Sequence, residues 1–257
     1  MEVSVVGSSY VIGQRRDTDT LRTEQALKVV ENLVTLSNGQ SFETLEPITD
    51  FRQCHDGSPA EARILFLCRQ VKPEIHAGRE AVLKVKVQVY HDSRPMSQAP
   101  SRNPSDTTLK ELEALKRFGA EEETLPAPTL IGFKETVQGP DGLLPGGYIT
   151  YTMMTKLPGR TLYDLVYWSM PIEQRQKIQL AFLTSLKQVW ALGIEPLDRA
   201  LRNIMWDEET QICSIIDFEM WQERTDSIVN EEKTLQSWGV ARRPPPSDWF
   251  AEWILHH

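Results

Sequence analysis

The sequence predicts an α+β fold in two lobes, with a short, minimal C-terminal lobe. Residues 41–156 contain several segments with strand-like patterns and a single helical segment. Residues 157–257 are mainly helical in pattern, and the change of character follows the stretch "LPGRTL". A hydrophobic content of 40% in 257 residues is that of a globular chain, long enough for one large domain or two lobes. Residues 1–40 are predicted to form an N-terminal helical extension.

The N-terminal extension is predicted from one amphipathic pattern in "TLRTEQALKVVENLVTLSNG". Four apolar residues recur there near helical spacing: Leu21, Leu27, Val30 and Val34. The Asn38-Gly39 pair that follows is typical of a helix end. We therefore expect a helix that stops before Asn38 and packs its apolar face on the rest of the protein.

Strands dominate residues 41–156. The segments "SFETLEPITDF", "ARILFLCRQV" and "AVLKVKVQVY" indicate three strands, and in the last one Lys84 and Lys86 alternate with apolar residues. "TTLKELEALKRFG" predicts a helix that ends at Gly119, preceded by a Pro- and Ser-rich linker over residues 91–106. "PTLIGFKETVQGPDGLLPGGYITYTMMTKL" then predicts a hairpin with a Gly- and Pro-rich turn.

The C-terminal part begins with a long amphipathic helix, "PIEQRQKIQLAFLTSLKQVWALGI". Its predicted apolar face consists of Ile178, Phe182, Leu186, Val189 and Trp190. Two short strands, "NIMWD" and "CSIIDF", follow with a polar turn between them. The end of the chain contains a polyproline-like "RRPPPSDW" and a predicted last helix that is rich in aromatic residues.

Composition excludes several classes of function. The net charge of −8 argues against a broad nucleic-acid surface. The sequence contains no run of about 18 apolar residues, so no membrane span is predicted. Cys54, Cys68 and Cys213 are too widely spaced for a zinc site, and this usage is typical of a reducing compartment. We expect a cytoplasmic protein with neither a membrane nor a nucleic acid as its partner. The sequence does not predict an oligomeric state.

The stretch "EPLDRALRNIMWDEETQICSIIDFE" contains the residues that point to chemistry. Asp198 precedes Asn203 by five positions, and Asp217 directly follows the apolar run that ends at Ile216. Taken singly, Asp198 and Asn203 could cap turns. A carboxylate where an apolar strand leaves the core needs partners, however, so Asp217 is harder to explain as a solvated side chain.

These motifs and their order resemble the protein-kinase-like fold, in particular its small-molecule branch, the aminoglycoside and choline phosphotransferases. "LDRALRNIMW" resembles the catalytic loop, and "SIIDFE" resembles the metal-binding segment. The resemblance implies that Asp198 accepts the proton of the substrate and that Arg202 neutralises the transferring phosphate. It also implies that Asn203 and Asp217 are magnesium ligands.

Three further segments of the chain extend the resemblance. "AVLKV" resembles the strand whose lysine binds the α- and β-phosphates of ATP, which implies this role for Lys84. "KELEALKRF" resembles the helix whose glutamate pairs with that lysine, and Glu111 fits better than Glu113. "MMTKLPGRTLYDL" resembles the connection between the lobes, so Met154–Lys156 would face the adenine. Without the resemblance, Lys84 and Glu111 would be ordinary exposed residues of a strand and a helix.

The sequence also departs from the pattern of that family. Pro196 stands two positions before Asp198, where the family has a His that braces the loop, so the loop must be held in another way. No Gly-x-Gly-x-x-Gly precedes the Lys84 strand, and "CHDGSPAEARI" offers one glycine for phosphate binding. The stretch after Glu219 is too short for the peptide-binding helices of a protein kinase, which favours a small-molecule substrate.

Three functions follow from these observations. The leading hypothesis is an ATP- and Mg-dependent phosphotransferase that acts on a hydroxyl of a small metabolite. The second is a pseudokinase, a binding or regulatory module that keeps the fold, as Pro196 and the missing glycine loop suggest. The third is a kinase fold used for non-phosphoryl biosynthetic chemistry, with Asp198 and Asp217 as general acid and base.

Overall fold

The computed structural model describes residues 31–54, 59–90, 99–121, 125–225 and 229–243. These residues confirm the predicted α+β class, with an antiparallel sheet and separate helices. They form two compact units. The first unit is drawn from Met1–Ser105 and Gly132–Met153, and the second from Asp106–Ile131 and Met154–His257. Over the described part of the chain, none of the helices combines the length and apolar character that crossing a membrane requires.

The first unit is built on a seven-stranded sheet. Its strands are β1 (Leu33–Thr35), β2 (Ser41–Pro47), β3 (Arg52–Cys54), β4 (Glu61–Lys72), β5 (Glu80–Gln88), β6 (Leu130–Val137) and β7 (Tyr148–Thr155). Their order across the sheet is β1-β2-β4-β5-β7-β6, with β3 paired to β4. β2, β4 and β5 are consecutive antiparallel neighbours, so the predicted strands and the β6–β7 hairpin are confirmed.

The predicted N-terminal helix is wrong in its last part. Instead of a helix up to Asn38, Leu33–Thr35 forms β1, and Val34 is fully buried opposite Phe42 of β2. The Asn38-Gly39 pair closes a tight turn between these two strands, with Gly39 at a φ of +81°, and is therefore a hairpin signal and not a helix stop. The remainder of that prediction, in residues 1–30, lies outside the described residues.

Strand β5 is buried on both faces. Lys84 and Lys86 are 5% and 1% exposed, so neither is the solvated strand lysine that the alternating pattern also allowed. The Nζ of Lys86 lies 2.9 Å from Oε1 of Glu61 on β4, and the hydroxyl of Tyr148 donates to the other oxygen of Glu61 at 2.8 Å. This charge is tolerated in the sheet because its partners are buried with it.

The second unit contains three helices and five short strands among its described residues. They are α1 (Asp106–Gly119), α2 (Ile172–Ala191), α3 (Glu231–Ser237), β8 (Arg160–Thr161), β9 (Ile194–Pro196), β10 (Ile204–Asp207), β11 (Ile212–Ile215) and β12 (Trp221–Glu223). The strand β10 pairs with β11 and β8, while β12 pairs with β9. The predicted apolar face of α2 is confirmed, because all five of its residues are buried. The predicted last helix lies beyond the described residues.

Helix α1 belongs to the second unit, whereas the predicted lobes of residues 41–156 and 157–257 placed it with the strands. The indole N–H of Trp221 donates to the carbonyl of Lys110 at 2.8 Å, and the rings of Phe118 and Phe218 meet edge to face at 4.6 Å. These contacts attach α1 to the segment after β11. The assignment of α1 to the second unit therefore follows from contacts between residues that are distant in sequence, and local sequence patterns do not reveal such contacts.

Gly159 explains why the "LPGRTL" stretch contains a glycine. Its φ is +90°, and an added Cβ would overlap the Trp206 carbonyl, 2.6 Å from the carbonyl carbon and 2.8 Å from the next backbone nitrogen. This close approach arises because β8 begins at the next residue and pairs with β10 at Trp206. A side chain at position 159 would push β8 away from β10.

We predict that Gly159→Ala lowers the free energy of unfolding by about 2–4 kcal/mol, because it adds both a backbone clash and an unfavourable φ. Gly78→Ala is the matched control, since Gly78 has the same φ of +90° but open space around its Cβ. We expect Gly78→Ala to cost about 1 kcal/mol in a urea titration. Equal effects of the two substitutions would contradict the proposed clash.

Candidate functional site

The β10–β11 hairpin positions two of the predicted site residues. Its register pairs Ile204 with Ile215 at the open end of the hairpin and Asp207 with Ile212 at the turn. Beyond the last pair, the backbone N–H of Ile216 donates to the carbonyl of Asn203 at 3.0 Å. Asn203 enters the hairpin where Asp217 leaves it, so these two residues adjoin the same end of the hairpin.

Asp198, Arg202 and Asn203 form one hydrogen-bonded cluster. A single guanidinium nitrogen of Arg202 donates to both carboxylate oxygens of Asp198, at 2.6 and 2.7 Å. The amide nitrogen of Asn203 donates to the backbone carbonyl of Asp198 at 2.8 Å and to its carboxylate at 3.0 Å. These bonds fix the carboxylate of Asp198 and use the amide nitrogen of Asn203, not its oxygen.

The loop that contains Asp198 is braced by backbone pairing, which answers how it is held without the usual His. Pro196 is the last residue of β9 and pairs with Trp221 of β12. The next residue, Leu197, donates its N–H to the carbonyl of Met220 at 2.9 Å. Arg199 donates its Nε to the Pro196 carbonyl at 3.3 Å, which holds the loop against β9 from the other side.

Three carboxylates lie close together next to the hairpin. Glu111 of α1, Asp217 and Glu219 each place a carboxylate oxygen within 4.8 Å of the others. Glu111 and Glu219 are buried, at 2% and 9% exposed, and Asp217 adopts a left-handed backbone with a φ of +65°. A non-glycine residue in this conformation is uncommon and is often found at functional sites.

This group of oxygens fits the magnesium ion that the resemblance implied. Magnesium prefers carboxylate and amide oxygens, and each of these three residues offers one carboxylate oxygen. Asp217 was predicted as a ligand, whereas no role was predicted for Glu219. The signal for Glu219 was present in "IDFE", since a second acidic residue two positions after Asp217 is near enough along the chain for both carboxylates to reach one place.

The structure separates the two glutamates considered on α1. Glu111 is buried beside Asp217 and Glu219, while the side chain of Glu113 is 53% exposed and binds Arg117 at 2.6 Å. Lys84 lies on β5 in the first unit, and its pairing with Glu111 and its contact with phosphates stay predictions. Met154 is a buried residue of β7, and Lys156 is exposed after its end, so their contact with adenine also stays a prediction.

Gly57, the single glycine of "CHDGSPAEARI" and too little by itself for a glycine-rich phosphate loop, lies outside the described residues. The burial of two of the cysteines is described. Cys68 of β4 and Cys213 of β11 are fully buried, and burial raises the pKa of both thiols to about 12. Such thiols stay protonated at neutral pH and are poor nucleophiles and metal ligands. The chemistry of the site therefore depends on carboxylates, an amide and cationic side chains.

Comparison with known proteins found similarity among solved structures. No protein-family model matches the chain, and no curated protein matches it. Among solved structures, the chain is similar to the kinase PK-1 of Cydia pomonella granulovirus, with a TM-score of 0.43 and 15% sequence identity. The match covers 83% of this chain and 62% of the viral kinase, so the chain spans less than two thirds of that protein. A similarity of this size assigns neither a family nor a function to this chain.

We predict that Cys68 and Cys213 do not react with a disulfide reagent in the native protein at pH 8. With a pKa of about 12, about one thiol in ten thousand is ionised at that pH. A Cys54→Ser background removes the third thiol from the measurement. Both cysteines should react at once after unfolding in urea, and a rapid reaction of either one in the folded protein would contradict the burial described above.

Proposed function

We propose that the chain is an ATP- and Mg-dependent phosphotransferase of the protein-kinase-like fold that acts on a hydroxyl of a small metabolite. The observation that supports this proposal is the arrangement at the open end of the β10–β11 hairpin. Asn203 adjoins Asp217 there through the Ile216–Asn203 backbone bond, and the same Asn203 is hydrogen-bonded to Asp198. A metal ligand pair next to a fixed carboxylate is what phosphoryl transfer requires.

The proposed ligands for magnesium are the amide oxygen of Asn203 and the carboxylate of Asp217. When bound, the ion would neutralise charge on the phosphates of ATP. Glu111 and Glu219 contribute negative charge close to Asp217, which favours a divalent cation at this position. The amide nitrogen of Asn203 donates to Asp198, so the amide oxygen is the atom of this side chain that is proposed as a metal ligand.

Asp198 is the proposed acceptor of the substrate proton. Its hydrogen bonds from Arg202 and Asn203 fix its orientation, and 21% of its side chain is exposed, so that a hydroxyl can reach it. Arg202 lies 2.6 Å from Asp198 and brings a permanent positive charge to the place where the phosphoryl group would pass. Lys84 remains the predicted partner of the α- and β-phosphates.

A pseudokinase is the second candidate, and one observation favours it. The carboxylate of Asp198 already accepts hydrogen bonds from Arg202 on both oxygens and from Asn203 on one. A substrate hydroxyl must compete with these donors. A module that binds nucleotide without transferring phosphate would tolerate such a closed arrangement, whereas an enzyme must open it during turnover.

We predict that Asp217→Asn weakens the binding of MgATP by about tenfold or more, because it removes an anionic magnesium ligand without changing its shape. Calorimetric titration with ATP, with and without magnesium, measures this. Asp207→Asn is the matched control at the turn end of the hairpin, where the carboxylate bonds to Thr210, and we expect it to bind as the wild type does. The proposal fails if the wild type does not bind MgATP, or if both variants bind it equally well.

We predict that Asp198→Asn retains MgATP binding but slows the formation of ADP by about a hundredfold. The substitution removes the proton acceptor while the shape of the side chain is kept. The probe is hydrolysis of MgATP, with water in place of the unidentified hydroxyl substrate. If the wild type and the Asp198→Asn variant both bind MgATP and neither forms ADP, the pseudokinase is favoured over the enzyme.

A further inference from the structure

The second unit contains a pocket that the proposed phosphotransferase does not use. Its volume is about 340 Å³, within the range of pockets that bind small molecules. None of the predicted catalytic, metal or nucleotide residues lines it. The lining residues that matter here are Trp190, Glu195, Arg199, Glu223, Arg224 and Lys233.

Two arginines and one glutamate make up the inner part of the pocket. The side chain of Glu195 is 9% exposed, and its two carboxylate oxygens pair with different cations. Arg199 lies 2.9 Å from Oε1, and Arg224 forms a close ion pair with Oε2. Two guanidinium groups share one carboxylate, so this part of the pocket has one positive charge in excess.

The remaining charged residues of the lining are one carboxylate and one amine. Glu223 is paired with Arg117, whose hydrogen bonds lower the pKa of this carboxylate, and Arg117 also binds Glu113. Lys233 also lines the pocket, and within the described ranges of the chain no carboxylate forms an ion pair with it. The lining therefore contains three cationic and two anionic side chains, and this excess of positive charge is suited to an anionic ligand.

Trp190 provides the second, independent observation. It is 8% exposed, and its indole N–H is buried with no hydrogen-bond acceptor in the part of the chain that the structure describes. The guanidinium of Arg224 stacks on the indole ring at 3.9 Å. A buried N–H without an acceptor is unfavourable, and an oxygen atom of a ligand in the pocket would satisfy it.

We propose that this pocket binds a small phosphomonoester, with its phosphate held by Arg199, Arg224, Lys233 and the indole N–H of Trp190. A phosphate is anionic at neutral pH and has three acceptor oxygens, which suit a lining with an excess of positive charge and several hydrogen-bond donors. The volume exceeds that of the phosphate group alone and leaves room for an organic part of the ligand. This site is distinct from the proposed nucleotide site and does not depend on it.

Calorimetric titration with phenyl phosphate, without ATP or magnesium, tests the proposal. We expect the wild type to bind phenyl phosphate but not phenol, and Lys233→Ala to weaken binding about tenfold. Lys187→Ala is the control, because this exposed lysine pairs with Glu231 and does not line the pocket. No binding by the wild type, or equal affinity of the two lysine variants, would overturn the proposal.

The indole N–H has its own matched pair of variants. Trp190→Phe should weaken the binding of phenyl phosphate about fivefold, since it removes the donor and keeps an aromatic ring. Trp206→Phe should leave it unchanged, because the N–H of Trp206 is also buried without an acceptor among the residues described, but lies outside the pocket. Equal losses in both variants would show a general effect of tryptophan removal and would contradict the assignment.

The Asp217→Asn variant separates this inference from the proposed function. We expect it to bind phenyl phosphate as the wild type does. If Lys233→Ala binds as the wild type does while Asp217→Asn, which removes a negative charge, binds more tightly, the phosphate lies near Asp217 and the pocket assignment is wrong. If ATP does not bind at all but phenyl phosphate does so in a Lys233-dependent way, the phosphotransferase proposal fails and the pocket assignment stands.

Discussion

The backbone pairing of β10 with β11 is the constraint on which the candidate site depends. The register from Ile204–Ile215 to Asp207–Ile212 decides which residues leave the hairpin at its open end. Ile204 and Ile215 are fully buried there, so the pairing is fixed by the core as well as by hydrogen bonds. Because strand side chains alternate, a slip of one residue would exchange buried and exposed positions and turn Asp217 away from Asn203.

Buried charged side chains in both units are held by partners of opposite charge. Lys86 has Glu61 in the sheet, and Glu195 is shared by Arg199 and Arg224 beside the pocket. Such pairs add little net stability, because the free energy of desolvation offsets much of the attraction between the charges. These pairs determine geometry, because any arrangement that separated a buried charge from its partner would leave that charge unpaired at a high cost in free energy.

Most of the fold could be predicted from the sequence because periodicity is local, and α2 and the hairpins follow from it directly. The errors and omissions concern contacts between distant residues. Leu33–Thr35 is a strand because Val34 packs on Phe42, and an Asn-Gly pair serves equally well after a helix or within a hairpin. The burial of Lys86 depends on Glu61, which lies on the neighbouring strand. Asp198, Asn203 and Asp217 could be predicted as site residues because they share one short stretch. Glu219 becomes a candidate only because Glu111, which is distant in sequence, lies beside it in the structure.

The two compact units are interleaved along the chain. The sequence passes from one to the other three times, after Ser105, after Ile131 and after Met153. A gene cut once near residue 156 would therefore yield no complete unit: the C-terminal fragment would lack α1, and with it Glu111 and the partner of Trp221. Expression of the second unit alone requires the Asp106–Ile131 segment to be joined to it by a new linker, as in a circular permutant.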